Sequence, residues 1–366
     1  MTAEIAILNR QAIALAADSA VTINFPDGQK IYNSVNKLFM LSKYAPVGVM
    51  IYGVADLTGV PWETIIKSFR RDLGDERLPH LKEYAIRLIE YINGHKLMFS
   101  DQNQERQLIS SVFGQFIDML RHIDERIEKA IPPGGSIDRN RVRSIVTSSI
   151  KDTHSKWTRA DQLPGAPANH AERIVARWRA QIDKAIDYAF EKLPISATSR
   201  KRLIDIASLV FTANLFPENV SGVVVAGFGE EDYMPGVVAY DMEGILLNFV
   251  KVRQNDHKST VISGTDAAAI IPFAQGEMVC QFMEGVDPGL RHMLQHFLED
   301  FVGGLTDNLV RITNAKNRRE VRLRGQVKQA EGGLTEKFFK ILSAYSFDNH
   351  VVSIRKSCDR ACQQSA

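Results

Sequence analysis

Thr2 carries the most self-contained chemistry in this chain of 366 residues. As the first residue of a mature chain, a threonine offers its hydroxyl as a nucleophile. Its own α-amine, with a pKa of about 8, can accept the hydroxyl proton. The two roles coincide only when nothing precedes Thr2, and a small side chain after Met1 is what permits removal of an initiator methionine. Other groupings are weaker. His292 and His296 stand four apart near Glu299 and Asp300, a spacing that binds zinc when a third ligand converges. Met293 stands where a metalloprotease helix carries its glutamate, so a solvated helix face is the preferred reading, and neither a metal nor a cofactor is expected. Lys316, Arg318, Arg319, Arg322, Arg324 and Lys328 form one basic run without interleaved aromatic residues. That run reads as a solvated loop or a surface for a protein partner; nucleic acid is not the expected partner.

The elements that must position these groups follow from periodicity. Apolar runs at 4–9 and 12–18, parted by Asn9 and Arg10, predict a hairpin. A Pro26-Asp27-Gly28 turn follows, then strands over 37–41 and 47–53, four in all within 56 residues. From Pro61 the apolar spacing changes to three and four, and helices are expected around 65–73, 84–92, 108–127, 142–157 and 171–193. Strands return at 221–227, 236–241, 245–252 and 259–262, and helices at 267–283, 292–301 and 334–342. A last strand is expected at 351–354, ahead of a polar tail from 357 to 366. This order predicts an α+β protein whose two strand groups form stacked sheets with helices outside.

Charged residues make up 24% and apolar ones 45%, which excludes disordered and collagen-like classes. A net charge of +2 offers no global attraction to nucleic acid or an anionic membrane. No signal peptide or bilayer-spanning run is visible, and the cysteines Cys280, Cys358 and Cys362 make no disulfide framework; a cytoplasmic location is expected.

Two blocks carry a resemblance. Thr2-Ala-Glu-Ile-Ala-Ile and Ala-Leu-Ala-Ala-Asp-Ser over 14–19, then Asn-Lys-Leu-Phe-Met-Leu over 36–41 and Met-Ile-Tyr-Gly-Val-Ala-Asp over 50–56, form the first block. The second is Val-Val-Val-Ala-Gly-Phe-Gly over 223–229, Pro-Gly-Val-Val-Ala-Tyr-Asp-Met-Glu-Gly over 235–244 and Val-Ile-Ser-Gly over 261–264. Together they resemble the β subunits of proteasome-like N-terminal-nucleophile (Ntn) hydrolases. The resemblance implies a four-layer αββα sandwich from 1–56 and 219–356, with 57–218 as a long helical insertion. It implies a threonine peptidase with Thr2 as nucleophile, Lys37 lowering the cost of ionising it, Asp18 holding that lysine, the Gly53 N–H facing the oxyanion and Ser263 near the Thr2 amine.

Lys37 falls three residues later than the family pattern, which a longer loop around 26–36 explains. The family's C-terminal aspartate before a serine-glycine pair has no clean counterpart: Asp300 and Asp348 are the candidates. Peptide or unfolded-protein substrates and a homo-oligomer are implied by the family, and an unfoldase or other protein could dock on the insertion. Alternatives are a non-proteolytic Ntn amidohydrolase, a catalytically silent proteasome-like scaffold, and a helical interaction module. From the residues alone, Asp18 with Lys37 could equally be an ion pair closing a hairpin.

Overall fold

Alternation of small and branched apolar residues shapes the start of the chain. Strand β1 (Glu4–Asn9) buries Glu4, Ala6 and Leu8 and leaves Ile5 and Ile7 half-buried, the period of a strand with one inward face. β2 (Ile13–Ala17) pairs with it antiparallel, Glu4 opposite Ala17 and Leu8 opposite Ile13, with Asn9 Oδ1 accepting from the Gln11 and Ala12 N–H groups at the turn. β3 (Val21–Phe25) and β4 (Gly28–Tyr32) pair antiparallel as a further hairpin, Phe25 opposite Gly28; Pro26 and Asp27 of the expected turn lie outside the described residues. β5 (Leu38–Met40) and β6 (Val47–Tyr52) come next, followed by the short pair β7 (Asp56–Leu57) and β8 (Val60–Pro61).

This computed structural model describes residues 4–312 apart from 20, 26–27, 33–34, 96, 133, 218–219, 264–267, 274–278, 280 and 282–286, and beyond them residues 322, 324, 325, 338, 340 and 341. Thr2, Asp348, Cys280, Cys358, Cys362 and the strand expected at 351–354 lie outside the described residues. The chain divides into two compact units, Met1–Ile271 and Pro272–Ala366.

Six helices follow β8: α1 (Trp62–Leu73), α2 (Leu81–Gly94), α3 (Asp101–Ala130), α4 (Arg139–Arg159), α5 (His170–Ala189) and α6 (Ala197–Leu209). Side-chain oxygens of Ser100, Asp138 and Ser196 cap α3, α4 and α6, each accepting from an N–H of the first turn. α2 is capped from elsewhere: Asp232 accepts from the Leu81 and Gly229 N–H groups, both at 2.8 Å, and from His80 Nδ1 at 2.9 Å. Those bonds draw the Asp232 carboxyl below its usual range against its partial burial, while Asp232 raises His80.

Strands then resume as β9 (Ser221–Gly227), β10 (Gly236–Leu246), β11 (Phe249–Gln254), β12 (Thr260–Val261) and β13 (Ala268–Pro272). One sheet has the order β11-β10-β9-β6-β5 with β12 beside β10; a second has the order β13-β1-β2. Val47, Val49 and Ile51, with Val223, Val225, Val238 and Tyr240, turn one face of the large sheet onto α1 and α2, against Ile65, Phe69, Tyr84 and Leu88. The opposite face looks toward β1 and β2: a Cβ on Gly48 would lie 3.7 Å from Leu15 Cδ1. The first unit is thus α+β, with helix, sheet and sheet stacked.

Helices α3–α6 close a core of their own around Leu108, Phe116, Ile150, Trp178 and Phe211. Lys251 of β11 ties that core to the sheet. Its fully buried ammonium donates to the Val210 carbonyl at 2.7 Å, to the Leu215 carbonyl and to Glu243, and lies 4.6 Å from the Phe216 ring centre. In the second unit, α7 (Pro288–Ile312) exposes Met293, Phe297 and Phe301. No described helix is long and apolar enough to cross a membrane.

Three expectations are corrected. The turn anticipated between 241 and 245 is a β-bulge at Met242 and Gly244. β10 continues to Leu246 and reverses at Leu247 and Asn248, both left-handed at φ 49° and 64°, the geometry of a two-residue hairpin turn. Residues 268–272, expected to open a helix, are β13 instead, because the edge of β1 offers a ladder that outweighs the helical spacing of an Ala-Ala-Ile-Ile run. Helix α6 was not anticipated as a separate element.

One buried group makes this fold sensitive to acid. His170 opens α5, fully buried, with its ring 5.2 Å from that of Phe249; both ring nitrogens lack a hydrogen-bond partner among the described residues. Burial, aided by Arg173, lowers its pKa to about 4. Between about pH 6.5 and that value the unfolded chain binds more protons than the folded one, so stability falls as pH falls. Urea unfolding should show His170→Leu losing about 2 kcal/mol less than wild type between pH 7 and pH 5.

Candidate active site

The end of the first hairpin collects charge. Because Glu4 pairs with Ala17, the next residue, Asp18, emerges beside Glu4. Lys37 reaches both: its Nζ lies 2.6 Å from Asp18 Oδ1 and 3.2 Å from Glu4 Oε1. Its backbone is fixed by the Ile51 N–H, which donates to the Lys37 carbonyl at 2.9 Å. The Lys37 side chain is 5% exposed, that of Glu4 is buried and that of Asp18 is 35% exposed, so one carboxylate of the triad meets solvent and the other faces the sheet interior. Burial raises the pKa of Glu4, opposed by the charge and hydrogen bond of Lys37.

Behind the triad lies a second polar group. Tyr52 Oη donates to Asp241 Oδ1 at 2.6 Å, and the buried Asp241 carboxylate also accepts from Arg253 Nε at 3.0 Å and from Asn255 Nδ2 at 3.2 Å. The Tyr52 ring crosses β9 to reach β10, which only glycine at 222 permits: a Cβ there would stand 2.4 Å from Tyr52 Oη. Burial and Asp241 push the Tyr52 hydroxyl far up, so it acts as a donor. Lys258, in the 3-10 turn Asp256–Lys258, joins the two groups. Its ammonium lies 5.0 Å from the Tyr52 ring centre; burial lowers its pKa, and the charges of Asp241 and Glu4 oppose the shift.

Gly53 follows Tyr52 at φ +83°, and a Cβ on it would stand 2.7 Å from Ser221 Cα; its conformation and this close approach both require glycine. The next N–H, of Val54, donates to Ser221 Oγ at 2.7 Å, which locks the exit of β6. On the other side of Lys37, starting at Leu38, an open apolar cleft of about 410 Å³ runs between β2 and β5–β6, lined by Ile13, Leu15, Met40 and Gly48 among others.

The structure therefore joins Asp18 with Lys37 and sets Gly53 two residues past Ile51, the residue hydrogen-bonded to Lys37. Ser263 is placed elsewhere. Val261 pairs with Gly236 and the Ile262 N–H donates to the Pro235 carbonyl, so half-buried Ser263 continues past the β10 end that aligns with Gly227 and Val47, away from the end bearing Tyr52 and Gly53. Asp300 is exposed on α7 in the second unit. Between Asp18 and Lys37 the chain forms the β3–β4 hairpin.

Glu4, Tyr52, Ser221, Asp241 and Lys258 were missed from sequence. For Glu4 a signal existed: a carboxylate in phase with Ala6 and Leu8 on an inward face demands a partner. Among the described residues no cluster of three or more His, Cys, Asp or Glu side chains is placed to hold a metal ion.

The triad predicts its own energetics. Lys37→Met leaves two carboxylates without their cation and should cost about 3–5 kcal/mol at pH 7. Part of this should return as the pH falls through the raised pKa of Glu4, since protonation removes the buried charge. Glu4→Gln combined with Lys37→Met should unfold at a higher urea concentration than Lys37→Met alone.

No protein-family model, curated protein or solved structure matches the chain.

Proposed function

We propose that this chain is a proteasome-like Ntn hydrolase, a threonine peptidase that acts through Thr2, assembles as a homo-oligomer and works in the cytoplasm. The observation that carries the reading is the buried Lys37 held between Glu4 and Asp18 at the mouth of the hairpin that Thr2 leads into. The covalent chain allows Thr2 Cα no more than about 7 Å from Glu4 Cα. A cation in that position lowers the cost of forming an alkoxide on the threonine. The αββα architecture belongs to the same proposal; the helix, sheet and sheet layers of the first unit are consistent with it.

In the reaction, the α-amine takes the proton of the Thr2 hydroxyl as Oγ bonds to the substrate carbonyl carbon. Gly53, held left-handed at the strand exit, aims its N–H at the developing oxyanion. Collapse breaks the C–N bond, and the proton passes from the amine to the leaving nitrogen. Water then attacks the ester, releasing the acid and restoring the Thr2 hydroxyl. The apolar cleft beside Lys37 suits substrates with an apolar side chain near the scissile bond.

Intact mass after exposure to a peptide β-lactone tests this reading. The expected result is a chain lacking Met1 with one adduct on Thr2, absent from Thr2→Ala. An adduct without peptide turnover would favour the amidohydrolase alternative, and a chain that is never acylated would favour the silent scaffold. Gly53→Ala should slow acylation on the order of a hundredfold, because the oxyanion donor is displaced with the backbone.

A further inference from the structure

β5 ends the large sheet, and only one side of its main chain is used. The Ile51 N–H donates to the Lys37 carbonyl and the Leu41 N–H to the Val47 carbonyl, so residues 37, 39 and 41 turn their main-chain groups toward β6. By the alternation of an antiparallel ladder, Leu38 and Met40 turn theirs outward. Among the described residues no strand pairs with β5 on that side, and Arg70 Nη1 donates to the Met40 carbonyl at 3.2 Å. Native edges are blunted by charge, proline, a bulge or shortness; the Leu-Phe-Met of β5 has only its shortness, and Leu38 and Met40 stand 40% and 59% exposed. Their side chains share one face. Phe39 packs toward the core under α1 and α2, whereas Met40 pairs with Gly48, where a Cβ would face Leu15 Cδ1 of β2. Leu38 and Met40 therefore border the apolar cleft of about 410 Å³. The Met40 end also carries cations: half-buried Arg70 in the last turn of α1 and exposed Lys43 in the turn after β5, neither in an ion pair among the described residues.

We propose that this edge docks an extended segment of a partner protein, which pairs antiparallel with β5, sets apolar side chains at alternate positions into the cleft and carries an acidic residue for Arg70 and Lys43. The site goes beyond the reading of Thr2 and does not rest on it. β5 offers two hydrogen-bonded pairs, opposite Leu38 and Met40, so the side chains in the cleft supply most of the affinity. In an antiparallel segment the residues opposite Leu38 and Met40 share their face and point into the cleft. The residue just before the one opposite Met40 points to the other face, that of α1, where Arg70 stands; this is the place for the acid. A second copy of the chain fits less well. β5 paired with itself about Phe39 would bring the second copy's Lys37 to that place, cation against cation.

The experiment is titration of the full chain with the blocked peptide acetyl-Thr-Glu-Val-Thr-Val-Thr-amide, read by calorimetry and by amide hydrogen exchange. Saturable binding that protects the Leu38 and Met40 amides is expected. N-methylation of both valines, whose N–H groups face β5, should weaken binding about tenfold, and N-methylation of the threonine after each should leave it unchanged. These two peptides test the pairing without altering the protein. Lysine in place of the peptide's glutamate should weaken binding about threefold. Met40→Lys, at an exposed position, should weaken it about tenfold by placing a charge at the cleft. Absence of binding, equal losses for the two methylated peptides or the reverse preference would overturn the proposal. So would a peptide recovered cut, which would make the edge a substrate site, or a self-associated chain that Met40→Lys renders monomeric, which would give the edge to a second copy.

Discussion

A lysine ammonium withdrawn from water between two sheets has to be answered by negative charge, and the placement of Glu4 and Asp18 around Lys37 is that answer. The three residues come from the two ends of one hairpin and from the approach to the edge strand of the facing sheet, so their ion pairs couple the two sheets where the chain begins. Removing Lys37 strands the buried Glu4 carboxylate, whereas removing either carboxylate leaves the lysine paired with the other.

The rest of the first unit protects this arrangement. Valines and isoleucines on one face of the large sheet bury against α1 and α2, leaving the other face to carry Tyr52, Asp241 and Lys258. Gly222 lets the tyrosine cross β9, and Gly53 turns the chain out of β6 against Ser221. The helices α3–α6 stand on a separate core joined through Lys251, whose ammonium ties the chain beyond α6 to Glu243 of β10. A charged residue thus acts at both joints of the unit, in one case among aromatic rings and carbonyls and in the other between carboxylates.

Much of this was legible in the sequence where local pattern and tertiary context agree. The hairpin at 4–18, the strand over 221–227 and the helices from Trp62 to Ala189 follow from spacing alone. Context decided the failures. Glycine and acidic residues near 243 suggested a turn, but a bulge absorbs them, and Asn248 supplies the left-handed turn further on. An Ala-Ala-Ile-Ile run with helical neighbours became β13 because an open strand edge was available. At the site, Asp18 and Lys37 were marked only through the family resemblance, and Glu4 not at all: a single acid in a six-residue strand shows its importance only once the inward phase of that strand is known.

The proposed chemistry depends on whether Lys37 serves the hairpin alone or also Thr2. A crystal structure of the chain beginning at Thr2 decides this most directly. Lys37 Nζ is expected within about 3 Å of Thr2 Oγ while keeping its contacts to Asp18 and Glu4. A Thr2 hydroxyl turned away from Lys37, with the ammonium bound by the two carboxylates alone, would contradict it.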